Sequence, residues 1–155
     1  MAGQGLGYAG FLFATGDDEM TVGERMIKQV VTLAEGTTLR DALIVFQKHH
    51  IRHVPVVKEG VLIGMLTDRD LKRATPSPFA GADRETFERV VDSIRVGQIM
   101  TRNPFTVTPS TPLRDAVKVL HDRKYGALPV VEGDRLVGIV TATDMLQDLY
   151  NLLQD

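Results

Sequence analysis

Several residue types and segments are missing from the sequence, and each absence excludes a class of structure or function. Its 155 residues include no cysteine, which excludes disulfides and thiolate chemistry and leaves only histidine and carboxylates for a zinc site. No apolar run approaches the roughly 18 residues of a membrane span, and no basic, apolar leader opens the chain. The formal net charge is −2, whereas a nucleic-acid-binding protein favours a basic excess. These absences predict a soluble, cytoplasmic protein with neither nucleic acid nor membrane as a partner.

Motifs for catalysis and metal binding are equally scarce. The stretch GLGYAG at 5–10 has phosphate-loop spacing, but such a loop needs a preceding strand and only four residues come before it. His49 and His53 are four residues apart, but no acidic residue lies between them and the predicted helix ends there. We therefore expect no metal, no obligatory cofactor and no enzyme activity. Residues 1–20 are predicted to be a flexible extension, with Phe11-Leu12-Phe13 available to dock elsewhere.

What the sequence does contain is an internal repeat. Shifted by 74 positions, Val22–Leu71 lies on Val96–Met145 without a gap, and the identical pairs fall in blocks. This predicts one repeat over 21–73, a connector with an amphipathic helix over 74–95, and a second repeat over 96–155. The blocks are LRDA at 39–42 and 113–116, PVV at 55–57 and 129–131, and Gly64, Thr67 and Asp70 with Gly138, Thr141 and Asp144.

Each repeat predicts the order β-α-β-β-α, an α/β (α+β) fold. The β-rich runs at 30–33 and 105–108 precede helices with one apolar face, and Thr111 and Pro112 suit the helix start in the second copy. A hairpin follows, and then a short helix that opens at the threonine. Because about 50 residues bury too little apolar surface alone, the two repeats are expected to pack on each other.

The stretches GMLTDRD and GIVTATD carry the chemistry. A threonine that opens a helix stands beside free N–H groups and the positive end of the helix dipole, which suit a phosphate. The aspartate one turn later suits two ribose hydroxyls, and the glycine lets another group approach the strand backbone. The same spacing also fits a capping box, which only starts a helix. From the residues alone, nucleotide binding and simple capping both remain open.

The combined pattern resembles the CBS domain, and the chain is similar to a stand-alone tandem CBS pair, or Bateman module. The resemblance rests on VGQIM at 96–100, STPLRDAVKVL at 110–120, GALPVVEGDRLVGIVTATDML at 126–146 and HVPVVKEGVLIGMLTDRDL at 53–71. It implies a pseudo-two-fold pair of β-α-β-β-α repeats with two clefts, a homodimer, and regulation of another protein through AMP, ADP, ATP or S-adenosylmethionine.

The resemblance also implies site residues. Thr67 and Asp70 hold phosphate and ribose in one cleft, as Thr141 and Asp144 do in the other. The base lies against Pro104 and Phe105 in the first cleft and against Val30 and Val31 in the second. Arg52, His53 and Arg69 belong to the first copy, whereas the second has Gly126 and Ala127 before its strand. We therefore expect phosphorylated ligand to bind more tightly at Thr67 and Asp70. The alternative function is a protein-interaction or dimerisation module with no small-molecule ligand.

Overall fold

The computed structural model describes residues 19–154. The glycine pattern at 5–10, the apolar triplet at 11–13 and most of the predicted flexible extension lie outside the described residues. The helices are α1 (Val22–Arg25), α2 (Leu39–His49), α3 (Asp68–Ala74), α4 (Arg84–Ser93), α5 (Val96–Ile99), α6 (Leu113–Arg123) and α7 (Ala142–Leu152). The strands are β1 (His53–Lys58), β2 (Val61–Thr67), β3 (Thr101–Arg102), β4 (Ala127–Glu132) and β5 (Arg135–Thr141). This mixture confirms the predicted α/β class.

The chain divides into two compact units whose boundaries differ from those of the sequence repeats. The repeat-1 unit comprises Gln29–Phe105 and Gly133–Val137. The repeat-2 unit comprises Met1–Lys28, of which Glu19 onward is described, with Thr106–Glu132 and Gly138–Asp155. Each unit thus takes up the short segment that opens the other repeat.

In the repeat-1 unit, helix α2 packs on an antiparallel β1–β2 hairpin. Thr38 caps α2 by accepting a hydrogen bond from the Asp41 backbone nitrogen at 3.1 Å. The hairpin turns at Glu59 and Gly60, whose φ values of 52° and 82° are those of a tight turn of the primed type. Strand β3 pairs with β2. The fully buried core side chains include Leu39, Val54, Val56, Leu66 and Val96.

In the repeat-2 unit, helix α6 buries Leu113, Ala116 and Leu120, the equivalents of Leu39, Ala42 and Phe46. Strands β4 and β5 are hydrogen-bonded neighbours. The segment that opens the first repeat joins this unit through a backbone pair, in which Ile27 and Ile139 exchange N–H to O bonds of 2.9 and 3.0 Å.

Two local predictions are corrected. The runs at 30–33 and 105–108 form no strand, and each contributes one parallel bridge, Leu33 with Val56 and Val107 with Val130. A turn follows Leu33 at once, so the pairing cannot extend. Pro112, not Thr111, is the N-cap of α6. The Thr111 hydroxyl instead accepts from the Thr108 backbone nitrogen at 3.1 Å and so closes the preceding turn.

Candidate functional site

The Thr67 motif joins strand β2 to helix α3 in the repeat-1 unit. The Asp70 backbone nitrogen donates to the Thr67 hydroxyl at 3.2 Å. In return the Thr67 backbone nitrogen and hydroxyl both donate to Asp70 Oδ2, each at 2.9 Å. This is a closed capping box, so the structural role considered for the motif is present. Both side chains are half-buried and keep a surface toward solvent.

Cationic and titratable groups stand beside this motif. Strand β1 places His53 opposite Thr67 in the antiparallel register, and the Arg52 carbonyl accepts from the Asp68 backbone nitrogen at 2.9 Å. Burial lowers the pKa of His53, although the carboxylates of Asp68 and Asp70 oppose the effect. The open end of the hairpin thus places His53 beside Thr67, within reach of the charges of Arg52, Asp68 and Asp70. Arg69, in the first turn of α3, is exposed.

The Thr141 motif shares the backbone hydrogen bonds of the Thr67 motif but differs in the hydrogen bonds of its aspartate side chain. The Asp144 backbone nitrogen donates to the Thr141 hydroxyl at 3.1 Å, and the Ala142 nitrogen donates to the Gly126 carbonyl at 2.9 Å. Among residues 19–154 the structure gives the Asp144 carboxylate no hydrogen-bond partner. The Asp144 carboxylate therefore has both oxygens open, whereas Thr67 engages one oxygen of the Asp70 carboxylate, Oδ2.

Arg25 is a neighbour of the second motif that the sequence did not point to. Its Nη2 donates to Asp148 Oδ1 at 2.7 Å, and its Nε bonds the other carboxylate oxygen. The bonds to Asp148 raise the pKa of Arg25, and the charge of Asp144 adds to the effect. At the equivalent places in the other repeat stand Ile99 and Ala74. A search for repeated residues misses this pair because the two copies differ there.

Gly64 and Gly138 occupy the same position in the two repeats, and close packing within the fold explains both glycines. A Cβ on Gly64 would lie 2.5 Å from Met100 Sδ and 2.9 Å from the Thr101 carbonyl oxygen. A Cβ on Gly138 would lie 2.5 Å from Met26 Sδ and 3.0 Å from the Ile27 carbonyl oxygen. The sequence interpretation gave this space to an approaching ligand. The chain's own backbone and a methionine fill it instead.

Of the two residue pairs expected to face the base, one lies in the same unit as its Thr-x-x-Asp motif and the other does not. Pro104 is half-buried and Phe105 is 42% exposed, in the same unit as Thr67 and Asp70. Both follow Asn103, whose φ of 48° bends the chain after β3. Val30 and Val31 are half-buried and lie in the repeat-1 unit, whereas Thr141 and Asp144 lie in the repeat-2 unit. Their pairing in one cleft stays a prediction.

Three further observations concern the histidine pair, metal ligands and membrane-spanning helices. His49 is the last residue of α2 and His53 the first of β1, so they do not form a pair on one helix. Within 19–154 no three histidine or carboxylate side chains gather as metal ligands. Over the same residues, none of the helices has the length and apolar character needed to cross a bilayer.

Comparison with known families and proteins gives a consistent result. The sequence profile of the CBS domain matches residues 22–77 and again 96–151. A CBS domain-containing protein of Dictyostelium discoideum is 36% identical over 138 residues, which are 88% of this chain and 95% of that protein. The CBS domain-containing protein YhcV of Bacillus subtilis is 32% identical over 125 residues, which are 81% of this chain and 82% of that one.

Solved structures extend the likeness to ligand complexes. The crystal structure of CBSX2 in complex with AMP has a TM-score of 0.70 and 27% identity, and covers 86% of this chain and 98% of that one. The CBS domain pair of protein MJ0100, in complex with 5-methylthioadenosine and S-adenosyl-L-methionine, has a TM-score of 0.69 and 26% identity at the same coverage. Both ligand sets contain an adenosine moiety.

Proposed function

Because this chain belongs to the CBS domain family, we propose that it is a regulatory module that binds an adenosine-containing ligand and acts on another protein. The observation that carries the proposal is the repeated Thr-x-x-Asp motif, placed at the start of α3 and again at the start of α7. The expected ligands are AMP, ADP, ATP or S-adenosylmethionine. The AMP and S-adenosylmethionine complexes of similar CBS pairs support this choice.

Each group in the motif has a defined task in this proposal. The carboxylates of Asp70 and Asp144 accept hydrogen bonds from the two ribose hydroxyls. The hydroxyls of Thr67 and Thr141, at the starts of α3 and α7, contact phosphate or ribose. Pro104 and Phe105 give the adenine an apolar surface in the first site, as Val30 and Val31 do in the second.

The two sites are proposed to be unequal. At the first, Arg52 and His53 supply groups suited to a phosphate, and Arg69 adds a second guanidinium. At the second, Gly126 and Ala127 supply none, but the Asp144 carboxylate is free of the capping bond that engages Asp70. The first site is therefore expected to favour nucleotides and the second to favour a ligand held through its ribose.

A module without a small-molecule ligand is the second candidate function. The observation that favours it is the closed capping box of Thr67 and Asp70, because the box gives both side chains a role in starting α3 that needs no ligand. Tyr150 and Leu153 in the repeat-2 unit are each more than half exposed, as is Ile44 in the repeat-1 unit. Exposed apolar side chains of this kind suit contact with a second protein. In both cases we propose a homodimer in the cytoplasm that has no catalytic activity of its own.

A thermal-shift screen separates the two candidates. AMP, ADP, ATP and S-adenosylmethionine are each added at millimolar concentration, with guanosine monophosphate as the control for the base. A ligand at 100 times its dissociation constant stabilises the fold by about 2.7 kcal/mol, and we expect at least one adenosine compound to do so. A flat response to all four favours the ligand-free module. Release of phosphate from ATP during incubation with the protein would contradict a purely regulatory role.

A further inference from the structure

An open groove runs between helices α2 and α3 in the repeat-1 unit. Helix α2 lines it from Leu43 to the C-cap His50, and α3 lines it from Asp68 to the C-cap Thr75. Each helix thus contributes about two turns, or about 10 Å, to the groove. The Asp68 backbone nitrogen donates to the Arg52 carbonyl oxygen at 2.9 Å, so the start of α3 lies beside the end of α2.

The middle of this groove is apolar. Phe46 and Leu71 are buried and belong to the core of the unit. Leu43, Ile51 and Phe87 also line the groove, and each is half-buried with part of its side chain open to solvent. Phe87 comes from helix α4, which packs on α2. An apolar strip between two helices suits the apolar face of a third helix.

The rim of the groove is mainly cationic. Arg52 and Lys72 are exposed lining residues with positive charges, and the His50 imidazole lies between α2 and Arg52 in the chain. Among the described lining residues Asp68 is the one acid, and its carboxylate lies 3.6 Å from Lys72 Nζ. Complementary charge favours a partner segment that carries carboxylates beside its apolar face.

The cations of the rim are particular to the first repeat. Shifted by 74 positions, Gly126 and Leu146 stand where the first repeat has Arg52 and Lys72. Arg52 is also the residue proposed above to meet a phosphate, and α3 begins at the Thr-x-x-Asp motif of Thr67. The groove therefore adjoins the proposed nucleotide site and shares one cation with it.

We propose that this groove is the docking site of the regulated protein and that the docked segment is an acidic amphipathic helix, an inference that rests on the proposed regulatory function. The apolar side chains of such a helix contact Phe46 and Leu71, and its carboxylates face Arg52 and Lys72. A phosphate held by Arg52 weakens the attraction for those carboxylates. Ligand and partner thus oppose each other through one side chain.

The first experiment asks which chemistry the groove selects. A displayed library of peptides about 15 residues long, enough to form a helix, is selected on the wild-type protein without nucleotide. Acidic, basic and apolar residues are equally represented at the randomised positions. We expect the recovered peptides to be acidic, with apolar residues at helical spacing. Recovery of basic peptides, or of none above background, would overturn the proposal.

The second experiment locates the binding surface. A recovered peptide is titrated by fluorescence anisotropy into Lys72→Glu and into Lys48→Glu, the matched control. Both lysines are exposed, but Lys48 lies outside the groove lining. Because the change at Lys72 replaces an attraction by a repulsion, we expect binding about tenfold weaker there and within about twofold of wild type in the control. Unchanged affinity for Lys72→Glu, or equal weakening in both variants, would overturn the proposal.

The mass in solution distinguishes a partner protein from a second copy of this chain. We expect Lys72→Glu to have the same mass as the wild type by light scattering. A wild-type dimer that this substitution converts to a monomer would overturn the proposal and identify a second copy as the occupant. None of these measurements includes a nucleotide, so their failure is distinct from a failure of the thermal-shift screen.

Discussion

Asp70 Oδ2 accepts two hydrogen bonds from Thr67, one from its backbone nitrogen and one from its hydroxyl, each at 2.9 Å. The equivalent Asp144 makes no such return to Thr141 among the described residues, although its own backbone nitrogen bonds the Thr141 hydroxyl at 3.1 Å. Two identical motifs thus differ in what their carboxylates do without ligand. One carboxylate stabilises a helix start, and the other has its acceptor sites open.

The first prediction compares these two carboxylates in stability. Asp70→Ala removes both bonds from Thr67 and is expected to lower the free energy of unfolding by about 1 kcal/mol, the usual effect of losing a helix cap. Asp144→Ala is the matched control and is expected to cost less than half as much. Chemical denaturation of the two variants measures the difference. A larger loss for Asp144→Ala would contradict the assigned hydrogen bonds.

A second prediction concerns Gly64. The Cβ added by Gly64→Ala would lie 2.9 Å from the Thr101 carbonyl oxygen, so β3 or Met100 must shift. We expect a loss of about 1–3 kcal/mol, as is typical of overpacked sites. Gly36→Ala is the control, because its Cβ would meet no atom within 4 Å. If Gly64→Ala unfolded at the same denaturant concentration as Gly36→Ala, the close approach described here would be wrong.

The third prediction follows from the lowered pKa of His53. The unfolded chain holds this proton at the ordinary pKa of 6.5, and the folded chain holds it less tightly because the imidazole is half-buried. At pH values between the lowered pKa of the folded chain and 6.5, the unfolded chain binds more protons at this position. The contribution of His53 to stability is therefore complete above pH 6.5 and is lost as the pH falls through the lowered pKa. His53→Ala, which copies Ala127, should flatten this slope between pH 7.5 and 5. Parallel curves for the two proteins would contradict the prediction.

The fourth prediction tests the inequality of the two sites through Arg52. A charge-assisted hydrogen bond to phosphate contributes about 1.5–3 kcal/mol, so Arg52→Ala should weaken AMP binding about ten- to hundredfold. Lys58→Ala, at the other end of β1, is the control for loss of one positive charge. Binding of adenosine should change little in either variant. If Asp144→Ala abolished AMP binding while Arg52→Ala and Asp70→Ala left it unchanged, phosphate preference would belong to the second site.

Much of the fold could be predicted because two copies of one pattern reinforce each other. The helix face of Leu39, Ala42 and Phe46 is repeated by Leu113, Ala116 and Leu120, and both sets are buried. The threonine-capped helices after each hairpin follow from the same repetition. The runs at 30–33 and 105–108 were wrongly predicted as strands because β-rich composition reports local preference, whereas pairing depends on the partner the chain reaches.

The sites were less accessible to sequence reasoning, for two physical reasons. Met100 and Thr101 approach Gly64 closely although they are far from it in the chain, and no local sequence pattern contains such a contact. The Arg25–Asp148 pair lies where the repeats differ, so the alignment that revealed the motif hid its neighbour. Arg52 and His53 could be singled out because they lie at the start of a repeated strand, and their part in binding stays a prediction.

Calorimetric titration of AMP into the wild-type protein and into Asp70→Asn/Asp144→Asn tests the central claim most directly. The asparagine side chains keep the size of the aspartates but carry no charge and accept fewer hydrogen bonds from ribose hydroxyls. We predict saturable heat for the wild type and its loss, by at least tenfold in affinity, in a double variant whose circular dichroism shows it folded. Equal AMP affinity in both proteins would contradict the assignment of ribose binding to these two carboxylates.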